Sequence, residues 1–257
     1  MKERLSIVML AARSTVYKVI LLMVVTAAVQ TGLYYGWMVR HISPGATWLV
    51  SLEMGMSDSF IVLVAGVSFV ILCVILCVTG LGPGAKSVYT LRRLAISEKE
   101  VLCCFALYNT LVFLLFWMSQ ILVVMGLCRM YEVLVPVLCE QNGVPISDRF
   151  LGPQTVYLAF YRDKYMHSLM PMAEISRWIR NLVLLLGLGI CTTTFPNSLR
   201  YGKKGVALLV VMVATLGMFC GGVGLLESDL ACMVVVLIAG ISSAWIALGG
   251  VEDEAYI

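Results

Sequence analysis

The chain has 257 residues, of which 61% are hydrophobic and only 13% are charged. Soluble domains carry charge on about a quarter of their residues, so this composition excludes an ordinary soluble globule and predicts a chain that folds in the lipid bilayer. The formal net charge of +3 gives no evidence for a nucleic-acid partner.

Residues 1–18 predict an amphipathic helix that lies on the inner face of the membrane. Apolar residues recur there at helical spacing between basic residues, as in helices that bind a membrane surface. A secretory signal peptide is the alternative interpretation. The apolar run that begins at Val19 is too long for a signal peptide, and no clear small-x-small cleavage site follows it. We therefore expect an uncleaved first span.

Six windows contain no Asp, Glu, Lys, Arg or His and are long enough to cross a bilayer. They cover residues 19–39, 59–81, 101–128, 181–199, 205–226 and 230–251. These windows predict an all-α integral membrane protein, with residues 1–257 forming one transmembrane domain of six spanning helices. The fourth window is the weakest because it contains three threonines and Pro196. Polar residues inside the third window, among them Asn109 and Gln120, are expected to join helices to one another.

Lysine and arginine are concentrated before the first window, between the second and third, and between the fourth and fifth. The positive-inside rule therefore predicts that both termini face the cytoplasm. We expect the membrane to be the plasma membrane. The longest outer segment, residues 129–180, contains six basic and five acidic residues. Two apolar stretches within it, Tyr131–Cys139 and Val156–Tyr161, are too short to span and predict helices at the outer interface. A further helix is predicted to start at about Glu174.

Residues 82–100 form a basic segment between the second and third windows. Its Gly-Pro-Gly start ends a helix, because proline cannot continue one and glycine accepts the turn. Its last four residues, 97–100, have the serine-x-x-glutamate pattern of a capping box, which starts a helix. Between these two signals, Lys86–Leu94 is long enough for about two turns and predicts a short cytoplasmic helix.

Catalytic and nucleotide-binding motifs are missing from the sequence. The two histidines, His41 and His167, lie outside the windows, and no Gly-rich loop ending in Gly-Lys-Ser/Thr is present to hold ATP. The nine cysteines lie mostly inside windows and predict no disulfide framework. Glu227 and Asp229 fall at the tip of a predicted outer hairpin, where a solvated turn is favoured. They are a candidate outer gate if this hairpin folds back into the membrane.

The chain resembles the membrane subunit of an ABC-2-type ABC exporter, a bacterial permease. The resemblance extends over nearly the whole length. It rests on the amphipathic N-terminal helix, the six predicted spans, the loop between spans two and three, and the glycine-rich last hairpin. The most specific local match is Lys86–Ser97, which is similar to the segment in which these permeases carry a short helix that leads into span three.

This resemblance implies a division of labour between subunits. Two membrane subunits, identical or paralogous, would line a path for a peptide, lipid or drug cargo. Separate ATPase subunits would bind ATP and magnesium, so this chain itself would hold no cofactor and be no enzyme. Its short cytoplasmic helix would insert into a cleft on the ATPase and transmit motion. The residues expected to make that contact are Lys86, Tyr89, Leu91, Arg92, Arg93 and Leu94. The alternative is that the basic residues merely obey the positive-inside rule.

Two other functional classes are compatible with the sequence. One is an accessory or immunity protein that binds a partner in the membrane without forming a path. The other is a membrane-embedded enzyme with a site in the outer loop, which requires six polar residues to converge in one pocket. These residues are Asp148, Arg149, Asp163, Lys164, His167 and Glu174.

Overall fold

A computed structural model describes residues 2–42, 51–81, 98–144, 153–172, 174–200, 205–221 and 226–254. Within these ranges the only regular secondary structure is α-helix, as the sequence predicted. The helices are α1 (Lys2–His41), α2 (Leu52–Asp58), α3 (Ile61–Leu81), α4 (Glu98–Asn142), α5 (Pro153–Arg162), α6 (Lys164–Leu169), α7 (Ile175–Arg200), α8 (Val206–Gly221) and α9 (Leu226–Glu254).

Five of these helices contain a stretch that is long and apolar enough to cross a membrane. The stretches are Thr15–His41, Ile61–Val78, Lys99–Asn142, Ile175–Pro196 and Glu227–Ala247. The predicted fifth window, 205–226, corresponds to α8, which is apolar but has only 16 residues. At 1.5 Å per residue α8 is about 24 Å long, which is short of a typical span. A multi-pass membrane protein is therefore indicated, and the sixth span stays a prediction.

The predicted interfacial helix 1–18 and the predicted first span belong to one continuous helix, in which the membrane-length stretch begins at Thr15. α1 runs without interruption through 40 residues, Lys2 to His41, where the sequence predicted a change near residue 18. The physical reason is local, because no glycine or proline occurs between residue 2 and Gly32 to end or bend the helix. A helix of this length measures about 60 Å and exceeds the ~30 Å hydrocarbon core.

The third span also continues beyond its predicted end. α4 has 45 residues and includes Tyr131–Cys139, which the sequence predicted to be a separate interfacial helix, with Pro136 inside it. The buried side chains explain the continuation. Val124, Cys128, Tyr131, Val135 and Cys139 follow one another at helical spacing across the predicted boundary, so a single face of α4 stays packed throughout.

Short helices occupy the segments that were predicted to lie outside. The predicted helix Val156–Tyr161 is confirmed as α5, and the start predicted at about Glu174 is confirmed by α7, which begins at Ile175. The sequence did not predict α2 or α6. In both, a polar side chain accepts a hydrogen bond from a free backbone N–H of the first turn: Ser51 from Met54 and Asp163 from Met166.

Hydrogen bonds fix the direction of α4 relative to α1. Thr15 of α1 bonds the hydroxyl of Tyr108 on α4, and farther along Gln30 bonds Gln120 at 3.0 Å. The two helices are therefore parallel and begin at the same end of the bundle. Asn142, the last residue of α4, donates to the carbonyl of Ile42 at 2.8 Å, which ties the other ends together. We call this second end the outer end, after the predicted orientation.

α3 packs against α1 and runs in the opposite direction. Thr26 of α1 donates to Ser68 of α3 at 2.8 Å, whereas Gln30, one turn later, donates to the carbonyl of Ile61 at 3.3 Å. Sequence position therefore rises on α1 as it falls on α3. These bonds lie between buried side chains or backbone, and in a bilayer such bonds join helices because lipid offers no competing partners.

α7 and α9 pack in parallel with a regular register. Three contacts join them at seven-residue steps on both helices: Arg180 with Asp229, Gly187 with Val236, and Thr194 with Ser243. A seven-residue repeat of contacts is typical of helices that cross at the small angle of a coiled coil. This register places the start of α9 beside the start of α7, at the outer end.

α4 and α7 are antiparallel and approach closely at Gly189. A Cβ built on Gly189 would lie 2.9 Å from the carbonyl oxygen of Ala106, which leaves no space for a side chain. Beside this contact, Asn109 donates to Thr192 at 3.1 Å and to Thr193 at 2.9 Å. Two of the three threonines that weakened the fourth window in the sequence thus bind α7 to α4, and these bonds confirm that Asn109 joins helices.

The outward faces of the long helices are apolar. Only 17% of the membrane-length stretch of α1 and 28% of that of α9 is buried inside the structure. Large side chains such as Leu21, Ile238 and Trp245 lie on these faces and are more than half exposed. A continuous apolar surface of this kind suits lipid or another membrane helix rather than water.

Candidate functional site

The predicted ATPase-contact residues lie outside the described residues. Lys86, Tyr89, Leu91, Arg92, Arg93 and Leu94 all belong to the stretch between α3 and α4. α4 begins at Glu98, directly after Ser97, the residue that the capping-box pattern places at the helix start. The contact assigned to this segment therefore stays a prediction.

The two residues of the predicted outer gate have different surroundings. Both lie in the first turn of α9, which begins at Leu226, rather than in a hairpin loop. Glu227 is exposed, as expected of a solvated acid, but Asp229 is only 1% exposed. Solvation was the wrong expectation for Asp229, because the helix turns this side chain towards α7 while Glu227 points away.

Asp229 belongs to a cluster of four charged residues at the outer end. Arg180 donates to the Oδ1 atom of Asp229 at 2.7 Å, and both side chains are 1% exposed. The Nε atom of Arg177 lies 3.6 Å from Asp229 Oδ2 and 2.5 Å from Glu174 Oε2. We call Glu174, Arg177, Arg180 and Asp229 the ion cluster. Arg177, Arg180 and Asp229 are buried and Glu174 is 43% exposed, and two positive and two negative charges balance within the cluster.

Hydrogen bonds extend the ion cluster to two further helices. The Oδ1 atom of Asn181 accepts from Arg180 Nε at 3.2 Å and from Nη2 at 3.0 Å, and its Nδ2 atom donates to the carbonyl of Ser168 at 3.0 Å. The Ser168 hydroxyl is 2.8 Å from the carbonyl of Phe219 at the end of α8. α6, α7, α8 and α9 are therefore joined at one point by charged and polar groups.

A cavity lies directly beside this network, between α3, α4, α6, α7 and α8. Its empty volume is about 480 Å³, including space open to the surroundings. Six of its fourteen lining residues are aromatic: Phe69, Phe113, Phe116, Trp117, Tyr165 and Phe219. Phe219 links the cavity to the ion cluster, because its ring lines the cavity and its carbonyl oxygen faces Ser168. We call this space the aromatic cavity.

Gln120 is a polar residue in the wall of the aromatic cavity and is 3% exposed. Its Oε1 atom accepts from Gln30 Nε2 at 3.0 Å and from the hydroxyl of Tyr165 at 3.3 Å. Burial raises the pKa of Tyr165, so its phenol keeps the proton that it donates. The expectation that Gln120 joins helices is confirmed, since it connects α4 to α1 and α6.

Two tryptophans hold the chain between α6 and α7 against the cavity wall. Trp117 donates from its indole N–H to the carbonyl of Leu169 at 3.1 Å, and Trp178 donates to the carbonyl of Pro171 at 2.7 Å. The two rings meet edge to face with centroids 5.5 Å apart. The outer side of the cavity is thus built on a short segment that aromatic residues anchor at both ends.

The membrane-enzyme alternative gains no support from the described residues. Asp163 caps α6, Glu174 pairs with Arg177, and the ring of His167 lies edge-on to Tyr161. The contacts of these acids and this histidine thus lead to different partners, and Asp148 and Arg149 lie outside the described residues. Within the described ranges no three His, Cys, Asp or Glu side chains gather as metal ligands, and all nine cysteines are free thiols.

Sequence reasoning missed Arg177 and Arg180, which it counted as basic residues of an outer loop. A usable signal was present, because Glu174, Arg177 and Arg180 follow one another three residues apart from the predicted start of a helix. That spacing places all three on neighbouring turns of one helix face. Their partner Asp229 comes from another helix, and local spacing gives no information on that pairing.

No protein-family model, curated protein or solved structure matches the chain at a significant level.

Proposed function

We propose that the chain is the transmembrane subunit of an ATP-driven ABC exporter in a plasma membrane. It forms a path for an apolar or amphipathic cargo together with a second membrane subunit, a copy or a paralogue. ATP and magnesium bind to separate ATPase subunits, and the short helix at Lys86–Leu94 transmits their motion. The proposal rests on the sequence resemblance and on the physical features that follow.

The observation that carries the proposal is the aromatic cavity. The cavity lies between five helices and has an aromatic wall, and its empty volume of about 480 Å³ includes space open to the surroundings. Apolar, aromatic-lined spaces with few polar groups are typical of sites for small apolar molecules. The cavity therefore favours a cargo-handling protein over an accessory protein.

The ion cluster is proposed as the outer gate of this path. It closes the outer side of the cavity through Ser168 and Phe219, and it connects the four helix ends that would separate if the path opened outward. Asp229 keeps its predicted gate role in this proposal, with Arg180 as its partner. Glu227 is exposed in the same turn and contributes charge at the surface only.

The proposal is tested by photo-crosslinking from the cytoplasmic segment. A photoreactive amino acid replaces Leu91, and the matched control carries it at Leu122, on the exposed apolar face of α4. We expect Leu91 to crosslink, in native membranes, to a polypeptide that mass spectrometry identifies by an ATP-binding motif, and Leu122 to crosslink to lipid or membrane helices only. A Leu91 position that labels lipid alone contradicts the proposed coupling.

A further inference from the structure

The orientation of the two buried glutamine amides is fixed by a neighbouring backbone carbonyl. Amide oxygen and nitrogen are distinguished only by their partners. The carbonyl of Ile61 can only accept, so the Gln30 atom that lies 3.3 Å from it is the nitrogen, Nε2. The same Nε2 lies 3.0 Å from Gln120, which requires the oxygen of Gln120 at that point. The nitrogen of Gln120 therefore points away from Gln30.

This arrangement leaves a buried donor in the wall of the aromatic cavity. Gln120 Nε2 has no hydrogen-bond acceptor among the described residues and no exposed surface. Buried N–H groups normally have a partner, because leaving one unpaired costs free energy. The hydroxyls and the indole N–H of the wall already have acceptors: Thr215 donates to the carbonyl of Val211 at 2.7 Å, Tyr165 to Gln120, and Trp117 to the carbonyl of Leu169. Gln120 is thus the side chain able to offer an N–H to a molecule in the cavity.

The wall around this donor suits hydrocarbon. Phe113, Phe116 and Trp117 of α4 and Phe219 of α8 are among the residues that line the space. No Lys, Arg, Asp or Glu occurs among the lining residues, so a charged ligand would lose its hydration without any opposite charge to replace it. A ligand of this cavity must therefore be uncharged, largely apolar, and able to accept a hydrogen bond at one place.

We propose that the aromatic cavity binds an uncharged apolar molecule with one carbonyl group, such as a long-chain ketone, ester or amide, and that Gln120 Nε2 donates to that oxygen. Naming this ligand as cargo rests on the proposed function; the binding itself does not. Nε2 has no exposed surface in the empty cavity, so ligand binding requires the amide of Gln120 to rotate about its last side-chain torsion. The energy of this torsion varies little over a broad range of angles. This turn also moves Oε1, so the hydrogen bonds from Gln30 and Tyr165 adjust when the ligand binds.

The binding test compares two ligands that differ in one functional group. Thermal unfolding of the full chain in detergent is followed with a long-chain methyl ketone and with the n-alkane of equal chain length. A ligand that binds the folded state raises the unfolding temperature with its concentration. We expect both to stabilise the wild-type chain, the ketone with a roughly three- to tenfold tighter apparent affinity, the range that one hydrogen bond supplies. Equal affinities refute the role of Gln120, and no shift with either ligand refutes the cavity as a binding site.

Two variants identify the donor. Gln120→Met keeps the volume and removes the amide, so the ketone and the alkane should become equal while both still bind. Thr215→Val is the matched control, because it removes a hydroxyl of the wall that already donates to a backbone carbonyl, and it should leave the preference for the ketone intact. Loss of the preference in Thr215→Val with retention in Gln120→Met contradicts the assignment.

A spectroscopic measurement on the wild-type chain avoids any dependence on how Gln120→Met folds. The C=O stretch of an isotope-labelled ketone should move to lower frequency on binding, as expected of a hydrogen-bonded carbonyl, relative to the same ketone in empty micelles. An unshifted band from bound ketone overturns the proposal. If the ketone binds but no ATPase associates with the chain, the exporter proposal is contradicted and the binding proposal stands. If an ATPase associates but the ketone does not bind, the binding proposal is contradicted and the exporter proposal stands.

Discussion

Arg180 of α7 and Asp229 of α9 form an ion pair at 2.7 Å in which both side chains are 1% exposed. It is the outermost of the three contacts that join these helices at seven-residue steps. Taking two charges out of water is costly, and the pair offsets this cost only while both partners are present. The stability of the outer end therefore depends on the pair more than on either residue alone.

Removal of one partner should be far more damaging than removal of both. We expect Arg180→Met to lower the free energy of unfolding by about 3–5 kcal/mol, because it leaves Asp229 buried without its closest cation. The double variant Arg180→Met with Asp229→Leu should recover a large part of that loss, since Glu174 and Arg177 still neutralise each other. Denaturant unfolding in detergent measures both. Glu227→Gln is the control, because Glu227 lies in the same turn as Asp229 but is exposed, and the substitution should change the free energy of unfolding little. A double variant that is no more stable than Arg180→Met would contradict the dependence of stability on the ion pair.

The close approach of α4 and α7 predicts a sharp difference between two glycines. Gly189→Ala places a methyl group 2.9 Å from the carbonyl oxygen of Ala106, so the helices must move apart. We expect a loss of about 1–3 kcal/mol, the usual cost of overpacking. Gly126→Ala is the control on α4, because nothing lies within 4 Å of its added Cβ, and it should be neutral or slightly stabilising. Equal effects of the two substitutions in the same unfolding assay would refute the contact.

Asp163 predicts a pH dependence. Burial raises the pKa of its carboxyl above the ordinary value of an aspartate, and the backbone bonds from Met166 and Tyr165 offset this only in part. The folded state therefore binds the proton more tightly than the unfolded state. As pH rises through the raised pKa, the charged form accumulates and stability falls.

The measurement compares wild type with Asp163→Asn, which keeps a good helix cap without a titrating group. At neutral pH the variant should be at least as stable as the wild type, and the difference should shrink as pH falls towards the ordinary pKa of an aspartate. If the wild type instead gains stability relative to Asp163→Asn as pH rises, the backbone hydrogen bonds outweigh burial and the pKa of Asp163 is lowered rather than raised.

The predicted orientation is tested by labelling with a membrane-impermeant thiol reagent. The exposed Cys103 is first replaced, and single cysteines are placed at the exposed positions Arg13 on α1 and Ser57 on α2. With both termini in the cytoplasm, Ser57→Cys should react in intact cells and Arg13→Cys only after permeabilisation. The reverse labelling pattern would show that the bundle has the opposite orientation in the membrane, so that the ion cluster lies at the cytoplasmic end.

Helix type and general position were predictable from the sequence because they depend on local composition. Uncharged apolar runs predicted the five helices of membrane-crossing length that the described residues contain. The helix start predicted at about Glu174 lies within one residue of the start of α7. Helix ends were less predictable. α1 continues past the point where the apolar run changes because no glycine or proline precedes Gly32, whereas α4 continues through Pro136 because one of its faces stays buried throughout.

The site depends on contacts between distant segments, and the sequence carries little information about these. Arg180 directly precedes the fourth window and Asp229 directly precedes the sixth, so both were expected to be solvated residues that flank a span. Only the seven-residue register of α7 and α9 brings them together. The same limitation applies to Gln120, whose helix-joining role follows from its polarity but whose unpaired nitrogen depends on Gln30 and Ile61.

The central claim, that this chain is the membrane subunit of an ATP-driven exporter, is tested most directly by ATP hydrolysis in material that co-purifies with it. The tagged chain is isolated in mild detergent from its native membranes, beside a variant with Leu91, Arg92 and Arg93 all replaced by alanine. We predict magnesium-dependent ATPase activity with the wild-type chain and its loss, or loss of the bound ATPase, with the variant at equal membrane insertion. No ATPase activity with the wild type, or undiminished activity with the variant, would contradict the claim.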